Sequence, residues 1–353
     1  QLASGCYWRM IIRFAALFLM VVLMTSQSAA KTIRHSVLNY SELAGWKEDD
    51  HTAALDVFRK TCPLIRQDGW SPICAAAFDA RDGRTFFELF FRPVLIEDGS
   101  NPLFTGYFEP EVKGSLNYSE KYKYPVYKIP PNSKESGRYF TRAQIMAGKL
   151  RGRDLEIAWV EDPVDFFFLQ VQGSGRIKLP SGDYIRIGYA GSNGHPYRSV
   201  GQELVRRGIY QEHQVSAQVI RNWVGRNLKQ GLALLNHNKS YVFFREVSHI
   251  PAHLGPLGAM NRSITQGRSI AVDPKFVTLG APVWLEKGGP EPIHRLMIAQ
   301  DTGSAIKGAQ RADLFMGTGD VSGRTAGRMR DGGRMVVLLP VQYAFGMTPE
   351  AVK

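Results

Sequence analysis

The segment AQDTGSAIKGAQRADLF, residues 299–315, contains two aspartates, Asp301 and Asp313. Asp301 begins the tetrapeptide Asp-Thr-Gly-Ser, which carries a catalytic aspartate in aspartic proteases. Those enzymes need two aspartates that share a proton, and the sequence contains no second tetrapeptide of this kind. A match of four residues is weak on its own, so we set the protease interpretation aside.

Patterns for metal and nucleophile chemistry are weaker still. His249 and His253 are four residues apart, but Pro251 between them interrupts the helix that would align them as metal ligands. The sequence has no HExxH and no GxSxG motif. The glycine-rich stretch 317–323 does not have the spacing of a phosphate-binding loop. We therefore expect no metal ion and no cofactor.

Carboxylates remain as the candidate chemical groups. Asp301 ends one predicted strand, Asp313 begins the next, and Asp273 ends a third. Adjacent strands would bring such positions together, and a crowded carboxyl in apolar surroundings has a raised pKa and can act as a general acid. The alternative is that the three aspartates form turns, as aspartates at strand ends often do.

The predicted elements that would position these aspartates are mostly short strands. Strands are predicted at 84–96, 101–112, 166–179, 184–191, 240–247, 267–274, 281–287, 294–302, 312–317 and 333–340, with 166–179 and 184–191 forming a hairpin. Helices are predicted at 49–62, 141–147 and within 198–236. Short strands without regular βαβ alternation favour a mainly β fold with helices, built on barrels rather than on a doubly wound sheet.

The first thirty residues predict export. Arg9 and Arg13 precede an apolar run, 14–24, and Ser28-x-Ala30 suits signal cleavage, so residues 1–30 are interpreted as a signal peptide and the mature protein as periplasmic. Cys6 precedes the apolar run rather than following the cleavage point. A lipid anchor, and with it attachment to the outer membrane, is therefore not expected.

Two cysteines, Cys62 and Cys74, remain beyond the signal. In an exported chain they are expected to form a disulfide that closes a short loop, and two separate buried thiols are the alternative. The formal net charge of +12 suits an anionic polymer or surface as partner. No zinc-finger spacing and no dense basic run supports nucleic-acid binding.

Six blocks of sequence together resemble the membrane-bound lytic murein transglycosylase A family. They occur in a fixed order and extend over most of residues 80–345: FTGYFEP (104–110), DFFFLQVQGSG (165–175), GYAGSNGHPYRSVG (188–201), SYVFFRE (240–246), GRSIAVDP (267–274) and DTGSAIKGAQRADLFMG (301–317).

The resemblance implies a fold, a substrate and a set of aspartates. The fold would be a double-psi β-barrel domain formed by residues 31–110 and 241–353, with a smaller glycan-binding β-domain, 111–240, inserted and a groove between the two. The reaction would cleave the β-1,4 bond between N-acetylmuramic acid and N-acetylglucosamine in peptidoglycan and leave 1,6-anhydro ends. Asp313 would be the catalytic acid, Asp301 a supporting carboxylate and Asp273 the third aspartate of the set.

The matching blocks also supply candidate glycan contacts and partners. The candidates are polar or aromatic residues or a glycine in the blocks: Thr105, Tyr107, Glu109, Gln172, Ser174, Gly175, Tyr189, Asn193 and Lys307. Peptidoglycan strands are the expected partner of a monomer, other cell-wall enzymes are candidate partners, and nucleic acid is not expected. Two alternatives stay open: a glycoside hydrolase that uses Asp301 and Asp313 as a pair, and a glycan-binding protein without activity.

Overall fold

The computed structural model describes residues 33–134 and 137–346. The predicted signal peptide, 1–30, lies outside these residues. No described helix is long and apolar enough to cross a membrane. The described residues from Arg34 onward form one compact unit.

Fifteen strands in the described part of the chain form two sheets, and ten short α-helices accompany them. The strands are β1 Arg34–Val37, β2 Phe91–Glu97, β3 Leu103–Glu109, β4 Glu111–Ser115, β5 Tyr124–Tyr127, β6 Glu156–Val160, β7 Gly175–Lys178, β8 Tyr184–Ser192, β9 Val242–Glu246, β10 Ser269–Val272, β11 Pro282–Lys287, β12 Ile293–Thr302, β13 Arg311–Thr318, β14 Arg330–Asp331 and β15 Gly333–Pro340. The α-helices are α1 His51–Thr61, α2 Trp70–Asp79, α3 Gly83–Phe90, α4 Arg142–Gln144, α5 Pro163–Gln172, α6 Val200–Arg206, α7 Ala217–Arg226, α8 Leu228–Leu235, α9 Gly319–Arg328 and α10 Val341–Gly346.

The first sheet has nine strands in the order β1-β2-β15-β11-β12-β10-β13-β3-β14. Most neighbours are antiparallel, but β10 pairs with β12 in parallel and β13 pairs with β3 in parallel. The second sheet has six strands in the order β5-β6-β4-β7-β8-β9. The strands of the first sheet come from both ends of the described chain and those of the second from the middle. The boundaries predicted at 110 and 240 stay predictions.

The largest core cluster lies between the first sheet and helices α1–α3. Helix α1 begins at the cap residue Asp50, whose carboxylate accepts the Ala53 N–H, and it buries Leu55 and Phe58. The predicted disulfide is present between Cys62 and Cys74, where it joins the end of α1 to α2.

Two stretches predicted as strands are helices. Residues 83–90, the first half of the predicted strand 84–96, form α3, because the Asp82 carboxylate caps the Thr85 N–H. Residues 163–172 form α5: the Asp162 side chain accepts two backbone N–H groups, Pro163 occupies the first turn, and Gly173 ends the helix at φ 78°. Only the second half of the predicted hairpin, β7 with β8, is confirmed.

Candidate active site

Four neighbouring strands of the first sheet place four site residues in one row. Ala271 of β10 pairs with Asp301 of β12 on one side and with Asp313 of β13 on the other, and Asp313 pairs with Thr105 of β3. Paired residues of adjacent strands share one face of a sheet. Because strands are spaced by about 4.8 Å, the backbones at Asp301 and Asp313 lie about 10 Å apart.

A β-bulge creates this register. Ile270 pairs with Ala299, but the next residue, Ala271, pairs with Asp301, so that Gln300 is the extra residue in β12. The Gln300 side chain is buried and hydrogen-bonds to Ser269 and Thr61. Without the extra residue, Gln300 rather than Asp301 would occupy the position opposite Ala271.

Asp313 is half-buried and has a free oxygen. Its Oδ1 accepts a hydrogen bond of 2.7 Å from the Thr105 hydroxyl. The described residues donate no hydrogen bond to Oδ2. Burial raises the pKa of Asp313, and the Thr105 hydrogen bond and the positive charge of Arg311 oppose the rise. The carboxyl therefore holds its proton more tightly than an exposed aspartate and can present it through Oδ2.

Asp301 is more extensively hydrogen-bonded. Its Oδ2 accepts the Tyr107 hydroxyl at 2.9 Å, and its Oδ1 accepts the backbone N–H groups of Ala259 at 3.0 Å and Thr302 at 2.9 Å. Burial raises the pKa of Asp301 to about 6, these hydrogen bonds lower it, and the neighbouring charge of Asp313 raises it. Burial and both aspartates likewise raise the pKa of Tyr107.

A small apolar cluster explains this burial. It consists of Tyr107, Ile264, Ala271, Ile306 and Phe315. Tyr107 packs on Phe315, with ring centroids 5.4 Å apart. Ala271, the residue between the two aspartates, is 4% exposed. These apolar side chains exclude water from part of the surroundings of the Asp301 and Asp313 carboxyls.

Asp273 holds the neighbouring loop. It is buried, and its carboxylate accepts the backbone N–H groups of Lys275 at 3.2 Å and Gly308 at 3.0 Å. The Lys307 amine lies 3.9 Å from its Oδ1, on a side chain that is 60% exposed. Asp273 thus anchors the loop 303–310, which connects the strands of Asp301 and Asp313.

The remaining predicted contacts differ in accessibility. Tyr189 is 54% exposed on β8. Gln172 is the last residue of α5 and accepts the Phe108 N–H, whereas Ser174 and Gly175 are buried between α5 and the start of β7.

The burial of Glu109 and Asn193 argues against direct contact of either side chain with a glycan. Glu109 is fully buried: Arg176 and Arg186 bind its carboxylate, and the Thr318 hydroxyl donates to it. It joins β3 of the first sheet to β7 and β8 of the second. Asn193 is 1% exposed, and its side-chain amide bonds to backbone groups within the protein.

Comparison with known proteins identifies the family. Residues 103–245 match the MltA specific insert domain, and residues 268–339 match the 3D domain. The chain is 34% identical over 271 residues, 74% of its length and 72% of the relative's, to membrane-bound lytic murein transglycosylase A of Escherichia coli strain K12. The chain belongs to the membrane-bound lytic murein transglycosylase A family. The Vibrio cholerae member is 33% identical over 264 residues, 71% of this chain and 70% of the relative.

Solved structures of family members confirm the predicted fold class. The MltA structure from Neisseria gonorrhoeae matches with a TM-score of 0.75 and 34% identity, over 89% of this chain and 96% of that one. The Agrobacterium tumefaciens membrane-bound lytic murein transglycosylase matches with a TM-score of 0.79 and 30% identity, over 88% and 98%. E. coli MltA with bound chitohexaose matches with a TM-score of 0.70 and 30% identity, over 87% and 94%.

Sequence reasoning missed one residue of the site. Arg311 donates a hydrogen bond of 2.8 Å from Nη2 to the Thr105 hydroxyl, which itself donates to Asp313. Arg311 stands two residues before Asp313, directly before the predicted strand 312–317, and the observed strand β13 begins with it. Alternation along a strand places such residues on one face. That spacing was the available signal.

Proposed function

We propose that this member of the lytic murein transglycosylase A family cleaves the β-1,4 bond between N-acetylmuramic acid and N-acetylglucosamine, leaves 1,6-anhydro ends, and uses Asp313 first as acid and then as base. The observation that carries the proposal is the contrast between the two carboxyls. Asp313 has an oxygen without a partner among the described residues and a raised pKa, whereas both oxygens of Asp301 are engaged.

The reaction needs only one free carboxyl. Asp313 donates its proton to the glycosidic oxygen, the bond to the anomeric carbon breaks, and positive charge develops on the sugar. The 6-hydroxyl of the same sugar attacks the anomeric carbon, and ionised Asp313 takes the hydroxyl proton. Because this nucleophile is part of the substrate, proximity replaces the second carboxylate that a hydrolase uses to activate water or to attack.

The other site residues have supporting roles in this proposal. Tyr107 and the two backbone N–H groups hold Asp301 in place as the supporting carboxylate beside Asp313. Asp273 positions the loop 303–310. Tyr189 and Lys307 are the exposed candidates for glycan contact, and Thr105 orients Asp313. The substrate places the action of the protein in the cell envelope.

Product analysis tests the proposal. Purified peptidoglycan is incubated with wild-type protein, with Asp313→Asn, and with Asp320→Asn as a matched control, since Asp320 is an exposed aspartate on α9. We expect wild type and control to release fragments lighter by one water than reducing-end fragments, and Asp313→Asn to release none. Reducing-end products would indicate a two-carboxylate hydrolase, and binding without products would indicate a glycan-binding protein.

A further inference from the structure

The acid of the site is part of a hydrogen-bond chain that begins at Arg311. Arg311 Nη2 donates to Thr105 Oγ1 at 2.8 Å, and Thr105 Oγ1 donates to Asp313 Oδ1 at 2.7 Å. A guanidinium has only donors. The Thr105 hydroxyl must therefore act as acceptor toward Arg311, and its single proton is available for Asp313.

The backbone holds this chain in place. Arg311 pairs with Leu103, and Asp313 pairs with Thr105, in the same parallel pair of strands. Arg311 Nη1 also donates to the carbonyls of Leu103 and Ala312, which fixes the guanidinium against the backbone of both strands. Threonine is restricted at χ1, so the hydroxyl has few other orientations.

We propose that Arg311 is a positioning residue which, through the Thr105 hydroxyl, confines the acid proton of Asp313 to Oδ2 and stabilises the carboxylate that remains after proton transfer. The inference rests on the proposed function and adds to it. Oδ1 is occupied as an acceptor, so the proton that is donated to the glycosidic oxygen has to leave from Oδ2. When Asp313 becomes ionised, its hydrogen bond from Thr105 strengthens because the acceptor is now charged, and Arg311, which polarises the hydroxyl, adds to this strength.

Charged and titratable groups surround Asp313 from each packed strand. Asp301 lies on β12 and Tyr107 on β3, and the Tyr107 hydroxyl donates a hydrogen bond to the Asp301 carboxylate. Arg330 of β14 pairs with Thr105 in register, but its guanidinium bonds to Glu212. Burial raises the pKa of Asp313, and Arg311 lowers it. Removing Arg311 should therefore raise that pKa further.

A set of variants separates charge from hydrogen bonding. Arg311→Lys keeps the charge without the planar donors, Arg311→Met removes both, and Thr105→Val breaks the chain in its middle. Arg66→Met is the matched control, because Arg66 is exposed in the segment between α1 and α2. Cleavage of purified peptidoglycan is followed from pH 4 to 9 for each variant and for the double variant Arg311→Met/Thr105→Val.

We expect Arg311→Met to shift the alkaline limb of the pH–rate profile upward by about 0.5 to 1 pH unit and to lower the maximal kcat by about tenfold, with little change in KM. Because Arg311→Lys keeps the positive charge, its alkaline limb should lie close to that of wild type. Its maximal rate should stay lower than that of wild type, because the planar donors are lost. The double variant should be scarcely slower than Thr105→Val, because both changes break one chain. An unshifted limb, or fully additive losses in the double variant, would overturn the inference.

A second measurement does not depend on catalysis. The carboxyl carbon of Asp313 is titrated by NMR in ¹³C-Asp-labelled protein, with Asp313→Asn to assign the resonance. A higher pKa in Arg311→Met than in wild type supports the inference, and an equal pKa refutes it. Wild-type product analysis separately reports on the proposed function: reducing-end products would end that proposal but leave the NMR result valid.

Discussion

Asp301 should make the folded protein less stable at neutral pH. Burial raises its pKa from the ordinary 3.8 to about 6. The folded state therefore binds this proton more tightly than the unfolded chain does. The resulting stabilisation is complete below pH 3.8 and is lost as the pH rises through about 6. At about 1.4 kcal/mol for each pKa unit, the loss amounts to about 3 kcal/mol.

The variant Asp301→Asn removes this titration and keeps most of the contacts. The asparagine oxygen can accept the N–H groups of Ala259 and Thr302 as Oδ1 does. The amide nitrogen then faces Tyr107, whose hydroxyl must turn to accept instead of donating. That exchange should cost about 1 kcal/mol. The variant should therefore be about 2 kcal/mol more stable than wild type above pH 7 and about 0.5 kcal/mol less stable near pH 4.

Urea denaturation at several pH values between 4 and 8 measures this change of sign. The control is Asp320→Asn, which removes an exposed carboxylate from α9, and we expect its free energy of unfolding to follow wild type over this range. The reasoning would be refuted by a difference between Asp301→Asn and wild type that is the same at pH 4.5 and pH 7.5. Such a result would mean that the folded protein does not perturb the ionisation of Asp301.

Three further predictions concern stability. Glu109→Gln removes the buried carboxylate that pairs with both Arg176 and Arg186, so the free energy of unfolding in urea should fall by about 3–5 kcal/mol; an unchanged midpoint would contradict the buried ion pairs. Burial lowers the pKa of His51 below 6.5, so wild type should lose stability as the pH falls through 6.5, and His51→Phe should lose less; equal falls in Tm between pH 7.5 and 5 would argue otherwise. Reducing Cys62–Cys74, twelve residues apart, should cost about 3 kcal/mol, and no effect of reductant on the midpoint would show that the bond is unimportant for stability.

The sequence predicted that aspartates at strand ends would meet, but it could not predict how. Their row depends on β10 pairing with both β12 and β13, and on β13 pairing with a strand about two hundred residues earlier in the chain. It also depends on the bulge at Gln300, whose partners come from β10 and α1. Register of this kind is set by long-range packing, and local alternation of residues does not contain it.

The burial of helix α5 on two sides explains why residues 163–172 resemble a strand in sequence. Phe166 and Leu169 pack in the cluster of the second sheet, whereas Val164 and Phe167 pack in a different cluster with α6, α7 and α8. A helix that is buried on two sides has a broad apolar surface, and its middle, residues 166–169, is an uninterrupted apolar and aromatic run. The information on helix formation lay in the caps, where Asp162 and Pro163 precede the run and Gly173 follows it.

The same packing explains why an acid of this kind sits within a sheet. The pKa of Asp313 is raised by burial, and that burial requires side chains that stay in place when the carboxyl becomes ionised. Backbone pairing on both sides fixes Asp313 between Ala271 and Thr105, and the sheet cannot relax to admit water without breaking those pairs. On a flexible loop, water would solvate the charge and return the pKa toward that of a free aspartate. The strands therefore keep the Asp313 carboxyl buried and its pKa raised. The hydrogen bond from Thr105, which itself accepts one from Arg311, limits that rise.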